Sequence, residues 1–195
     1  MAKPVKILVL GNDPQINEID FSRLGSDVVT LGVNRIWLKH IPNYFFFNDH
    51  EILKELEKFP DAVKALSSKS RCYSSDWLLF PKSKNLTVPN WLTIYDRPKK
   101  TSFPDSITTA ISIFRTRYLK GADATFYIAG VSLMWSNPSH FWKEIEYDSL
   151  NKHGEDWYTR RFSLILENFK NLSIPRNRII SVHPNSLLNK HYRYE

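Results

Sequence analysis

The stretch Val5-Lys6-Ile7-Leu8-Val9-Leu10-Gly11-Asn12-Asp13-Pro14 decides the fold. From Val5 to Leu10 every residue but Lys6 is aliphatic and apolar residues do not alternate with polar ones, the pattern of a strand buried on both faces at the centre of a parallel sheet. The strand stops abruptly. Gly11 permits a backbone approach that a side chain would block, Asn12 offers both a donor and an acceptor, and Pro14 ends the extended run. Ligands of open α/β sheets bind in the crevice beyond the carboxyl ends of the strands, so Gly11 and Asn12 are the first candidate site residues.

Working outward, two more buried strands follow, Asp27 to Val33 and Tyr44 to Phe47, and they run into Asn34 and Asn48. Asparagine tolerates turn conformations, which accounts for any one of the three. Three at one edge of a parallel sheet would turn their amides into a single crevice, where they suit a base and a ribose. Strands are also predicted at Trp91–Tyr95, Thr125–Gly130 and Ile179–Val182. Helical spacing covers His50 to Ser68, with a break at Pro60 and a restart at Asp61, then Pro104 to Lys120 and Asp156 to Phe169. Strands alternating with helices predict one α/β domain over residues 1–195, Rossmann-like, with a mostly parallel sheet. Between Ser67 and Phe103 only Trp91–Tyr95 reads as a strand. That proline-punctuated stretch, with Trp77, Trp91 and Arg97-Pro98-Lys99-Lys100, is expected to form an ordered surface that receives an acceptor.

The 195 residues suffice for one substantial core. No apolar run approaches the roughly 20 residues that span a bilayer, and the N-terminal lysines lead straight into a strand, so a cytoplasmic protein with no transmembrane segment is expected. The single cysteine, Cys72, excludes an internal disulfide and a thiolate metal cluster. Lysine and arginine number 27 against 20 acidic residues, a net charge of +7 that attracts phosphate-bearing partners without singling out nucleic acid. Aromatic residues make up 14% of the chain, enough to supply stacking rings beyond those the core uses. A Walker loop, a dinucleotide fingerprint, a nucleophile elbow and zinc spacings are all missing from the sequence, as is an Asp-x-Asp pair that would bridge a metal to a diphosphate.

Gly11-Asn12-Asp13-Pro14, Asn17-Glu18-Ile19-Asp20-Phe21-Ser22-Arg23-Leu24 and Val33-Asn34-Arg35 resemble the opening of the bacterial lipooligosaccharide sialyltransferases, where a G-N-G-P-S turn, an EIDYSRL segment and a CNxF strand end bind the cytidine nucleotide of the donor. Further along, Ser106-Ile107-Thr108-Thr109-Ala110 resembles that family's RITSG, Thr125 to Gly130 its IYLSG, and His183 to Leu188 its CPNSLL. The resemblance implies a sialyltransferase-like fold with an aromatic lid over residues 133–156. It also implies metal-independent sugar transfer from a CMP-type donor, the nucleotide sugar being a co-substrate and no cofactor being required. By residue, it implies that Gly11, Asn12, Asn34, Ser106, Thr108 and Thr109 hold the donor, with free amides at the helix start favouring an anion, and Asn48 joins them by its place at the third strand end. Tyr147 with Pro184, Asn185 and Ser186 would position the phosphate, and His153 would be the general base.

Five departures stand out: Asp13 and Gln15 in the first turn, Ser106 for an arginine, Ala110 for a glycine and Ser132 for an aspartate. Motility-accessory glycosyltransferases and archaeal-type pterin diphosphokinases share this nucleotide-binding half. The diphosphokinase alternative would place magnesium at Asp49. Another alternative is a nucleic-acid-binding or DNA-modifying protein that uses the surface from Trp77 to Lys100 and the tail Lys190-His191-Tyr192-Arg193-Tyr194, a tail that otherwise reads as a frayed terminus. The acceptor stays open between a glycan and a modified nucleic acid, and so does assembly into a homo-oligomer.

Overall fold

A computed structural model of the chain describes residues 3–79, 87–98, 105–134 and 155–195. Trp135, Tyr147 and His153 lie outside the described residues, as does the expected lid except for its two ends. Among the described residues eight strands form one sheet: β1 Val5–Leu10, β2 Val28–Val33, β3 Tyr44–Phe46, β4 Arg71–Ser75, β5 Leu92–Tyr95, β6 Ala124–Ala129, β7 Ile179–Ser181 and β8 Arg193–Tyr194. Their order is β5-β4-β3-β2-β1-β6-β7-β8 and each neighbouring pair is parallel. Among the described residues the α-helices are α1 His50–Leu56, α2 Pro60–Lys69, α3 Ser106–Phe114 and α4 Glu155–Asn171. This is the single α/β domain with a Rossmann-like parallel sheet that the strand and helix pattern predicts.

The reading of β1 as a strand buried twice is realised literally. Ile7 and Val9 enter a cluster with Ile107, Ala110 and Phe114 of α3 and Phe169 of α4, whereas Leu8 and Leu10 enter another with Ile52, Leu53 and Leu56 of α1 and Leu66 of α2. Strand side chains alternate between faces, so a continuous apolar run supplies both layers at once. The chain builds β2 to β5 outward on one side of β1, then crosses back to lay β6, β7 and β8 on the other. The direction of winding therefore reverses between β1 and β6. At such a switch point the loops that leave neighbouring strands part in opposite directions and open a crevice at the carboxyl edge.

Three expectations need correction. Residues 71–75 form β4, which the sequence hides because its buried positions include Ser74 and Ser75. These hydroxyls are satisfied inside, Ser74 donating to the Phe47 carbonyl at 2.5 Å and Ser75 to Asn48 Oδ1 at 2.7 Å. The tail is not a frayed terminus, for Arg193–Tyr194 adds the edge strand β8 to β7 and Tyr192 is buried against Phe169. Helix α3 ends at Phe114; Arg115–Leu119 continue as one wide π-type turn, and Lys120 closes it in the left-handed region at φ 48°.

Candidate active site

The floor of the crevice is the crossing of two loops. Leu10 pairs with Ala129, and beyond them the Gly11 amide donates to the Ala129 carbonyl at 2.8 Å and the Asp13 amide to the Gly130 carbonyl at 3.0 Å. A Cβ on Gly11 would lie 2.2 Å from the Gly130 oxygen, so only glycine permits this approach. Two of the departures meet here. Ser132 donates its backbone amide to Asp13 Oδ2 at 3.3 Å, and its hydroxyl donates to the same oxygen. The resemblance implies a glycine at 13 and an aspartate at 132; this chain supplies its carboxylate from the β1 side and the hydroxyl from the β6 side. Gln15, the other departure in this turn, donates its backbone amide to Asp13 Oδ1 at 3.4 Å.

Register brings the three asparagines to this edge. Leu10 pairs with Gly32, and Gly32 with Phe45, so Asn12, Asn34 and Phe47 come two residues later on successive strands, with Asn48 one residue further. Asn34 adopts φ 51°, a left-handed conformation that asparagine tolerates better than most residues. Behind it Arg35 forms a buried ion pair with Glu55 of α1, Nη2 to Oε2 at 2.7 Å and Nε to Oε2 at 2.8 Å, which fixes the end of β2 against the helix layer.

The decisive feature is what these side chains leave unpaired. Asn12 Oδ1, Asn34 Oδ1, Asn48 Nδ2, Gln15 Oε1 and Thr109 Oγ1 are buried atoms with no hydrogen-bond partner among the described residues, as are Trp37 Nε1 and Asn189 Oδ1. Orphaned buried polar atoms are rare in folded proteins, and each leaves a desolvation penalty of about 1–3 kcal/mol that a bound group relieves. Here every strand-end asparagine of the row carries one. Asp49 follows at the rim: its side chain is open to solvent, yet the surrounding protein desolvates it and pushes its carboxyl above the usual range, with the charges of Arg161 and Arg35 pulling the other way.

Other expected site residues have structural duties. Asp105 caps α3, accepting the Thr108 amide at 2.7 Å as well as the Thr108 hydroxyl, and it accepts Asn168 Nδ2 of α4 at 2.7 Å. The helix start is therefore already occupied by a carboxylate, contrary to the expectation of free amides for an anion, and Thr108 has no free hydroxyl proton to offer. Ser106 is half-buried beside it. Ala110, at the expected glycine, is fully buried and its carbonyl accepts the Tyr73 hydroxyl at 2.9 Å. Ser186 is buried too; its hydroxyl donates to the Val131 carbonyl at 2.9 Å, while the Leu187 amide donates to the Ser132 carbonyl at 2.9 Å. That docks the Pro184-Asn185-Ser186 turn onto the loop after β6, leaving Pro184 and Asn185 exposed.

Sequence reasoning missed the Asp13–Ser132 contact, whose partners stand 119 residues apart with no local pattern to announce them. Trp91, expected on the surface, is half-buried against the α1 and α2 layer and lines a cavity of about 300 Å³ with Leu53, Leu56, Pro60 and Val63, towards the end of α1 remote from Asn48. Arg97, in the expected acceptor surface, lies 5.0 Å from the centre of the Trp77 ring and 3.5 Å from Asp76. Among the described residues no cluster of three or more histidine, cysteine, aspartate or glutamate side chains is poised to hold a metal, and no helix is long and apolar enough to cross a membrane.

No family model matches the chain, and no curated protein matches it in sequence. Solved structures do match its shape. The sialyltransferase CstII from Campylobacter jejuni, in complex with the substrate analogue CMP-3FNeuAc, superposes with a TM-score of 0.54 at 16% identity, over 97% of this chain and 85% of that one. The monofunctional alpha-2,3-sialyltransferase Cst-I from Campylobacter jejuni gives 0.55 at 14% identity, over 97% and 79%. CST-II in complex with a trisaccharide acceptor and CMP gives 0.52 at 16%, over 97% and 85%. This chain shares their fold.

Proposed function

We propose that the protein is a glycosyltransferase that moves a sugar from a nucleotide-activated donor, of the cytidine-monophosphate type, to an acceptor hydroxyl without a metal ion. The observation that carries the proposal is the row of strand-end asparagines with unpaired buried atoms beside the switch point of the sheet. A nucleotide presents the matching inventory of base edge, ribose hydroxyls and phosphate oxygens. The likeness in fold to sialyltransferases described with CMP and with CMP-3FNeuAc supports the same reading.

In the proposed step the acceptor oxygen bonds to the anomeric carbon as the bond from that carbon to the phosphate oxygen breaks and its electron pair leaves with the phosphate. The proton of the acceptor hydroxyl passes to His153, the base that the sequence resemblance implies. Asn12, Asn34 and Asn48 orient the donor; Tyr147 and the turn at Pro184 and Asn185 steady the departing phosphate. Such a reaction asks the protein chiefly for orientation and for stabilisation of the leaving group, both of which neutral hydrogen-bonding groups supply.

A thermal-shift panel of free nucleotides tests the donor assignment. Cytidine 5′-monophosphate is expected to raise the melting temperature more than its purine counterparts, because a ligand at 100 times its dissociation constant stabilises by about 2.7 kcal/mol. Equal shifts for every nucleotide, or none, would refute it.

A further inference from the structure

On the face of the sheet that carries α3, the outer strands end in an aromatic surface. Paired residues of parallel strands point to one face, so Tyr44 with Arg71, Phe46 with Tyr73, and Tyr73 with Thr93 extend that face outward from the core. Tyr73 is fully buried and its hydroxyl is taken by the Ala110 carbonyl, but Tyr44, Tyr95 and Tyr118 are half-buried and Thr93 is exposed. Their rings form one continuous group, Tyr118 lying 4.8 Å from Tyr44, 5.5 Å from Tyr73 and 6.2 Å from Tyr95, centre to centre. Two exposed arginines lie over it. Arg71 is 5.9 Å from the centre of the Tyr44 ring and 6.0 Å from that of Tyr118, and Arg117, from the π-type turn after α3, is 5.1 Å from that of Tyr95.

Rings, not carboxylates, hold these guanidinium groups. Among the described residues neither Arg71 nor Arg117 forms an ion pair, nor do Arg115 and Lys120 of the same turn, and Asp123 beyond it is taken by Arg178 at 2.5 Å. A guanidinium held over a ring keeps its edge N–H groups for phosphate oxygens, and half-exposed tyrosine rings offer faces on which bases stack. Burial and the hydrogen bond with Tyr95 push the Tyr118 hydroxyl well above its ordinary value, so it adds a neutral group and no negative charge. The large apolar side chains exposed on this protein, among them Leu38, Phe59 and Leu164, lie outside this patch, whereas a surface that seats on a membrane inserts such side chains. We propose that this face, across β3, β4, β5 and the turn after α3, binds single-stranded nucleic acid, its phosphates on Arg71 and Arg117 and its bases against the tyrosines. It is not the surface expected from the sequence, where Arg97 is engaged by Trp77 and Asp76, and Arg193 by Glu195. Arg71 opens β4 at the amino edge of the sheet, so the proposal is independent of the sugar-transfer reading of the crevice at the carboxyl edge.

The full chain is titrated with a labelled oligothymidylate of about 12 nucleotides, within the span that one small domain covers, and followed by fluorescence anisotropy at several salt concentrations. Arg71→Gln combined with Arg117→Gln is expected to weaken binding about tenfold or more and to make the log–log salt slope shallower by about 1.4, since each phosphate contact to a single strand is worth about 0.7. Lys54→Gln combined with Lys58→Gln removes equal charge at and just after α1, which packs on the opposite face, and should leave both quantities unchanged. Photocrosslinking of an oligonucleotide carrying 4-thiothymidine to the wild-type protein, read by mass spectrometry, should mark peptides that contain Tyr44, Tyr95 or Tyr118. No binding by wild type, binding that the arginine changes leave intact, equal weakening by the lysine changes, or crosslinks confined to other surfaces would each overturn the proposal. So would arginine-dependent binding to phosphatidylserine vesicles without binding to the oligonucleotide.

Discussion

Asn34 joins two demands in one side chain, since it holds a left-handed backbone and presents a buried oxygen without a partner. The two separate by substitution. Asn34→Gly is expected to keep the melting temperature within a few degrees, because glycine adopts φ 51° freely, while abolishing the nucleotide-induced shift. Asn34→Ala is expected to lose the same shift and to be less stable than Asn34→Gly by about 1–2 kcal/mol, measured by urea denaturation, because a Cβ crowds the carbonyl in that conformation and glycine has none. Cys72 gives a second expectation at this scale. It is buried, and desolvation pushes its thiol up to about 12, so at pH 8 the folded protein holds almost none of the thiolate that reacts. Iodoacetamide should label the native chain slowly and the urea-unfolded chain rapidly. The asparagines were legible in the sequence because the same residue recurs at successive strand ends. The partnership of Asp13 with Ser132 was not, because only the folded sheet brings them together.

Helix α3 depends on its cap. Asp105 accepts from Thr108 at the start of its own helix and from Asn168 of α4, so one carboxylate joins two helices on the same face of the sheet. Asp105→Ala is expected to lower stability by about 1–3 kcal/mol, through the cap and through the amide left behind on Asn168. Burial raises the Asp105 carboxyl above its ordinary value of 3.8, and the hydrogen bonds from Thr108 and Asn168 only partly offset this. The folded state then binds that proton more tightly than the unfolded chain, so this group's contribution to stability falls as pH rises from the ordinary value through the raised one. Urea midpoints measured from pH 4 to pH 7 should show a shallower fall, or a steeper rise, in Asp105→Asn than in wild type. At this scale apolar runs and capping signals announced most elements. Strand β4 escaped because its serines are buried as hydrogen-bond donors, and β8 because two residues carry no periodicity.

For the molecule as a whole, the alternation of strands and helices predicts the fold class, but the position of the crevice follows from where the winding reverses, and that depends on which side of β1 receives β6. No local pattern encodes that choice; it is set when a long crossover packs back on the sheet with the favoured hand. The proposed reaction gives its own expectation. Once an acceptor is in hand, turnover should survive EDTA, and His153→Ala should lower it by on the order of 10²- to 10⁴-fold with nucleotide affinity nearly unchanged, since a base acts on a proton that moves only in the transition state. Strict dependence on magnesium, or full activity in the variant, would discard this chemistry. The central strand has one more property, and it concerns time. Val5 pairs with Ala124, so during synthesis one flank of β1 has no partner until the ribosome has added 119 further residues, a wait of roughly 6 to 24 s at about 5–20 residues per second. Through that interval the nascent chain carries a strongly apolar strand with an open edge, a template on which another chain can pair.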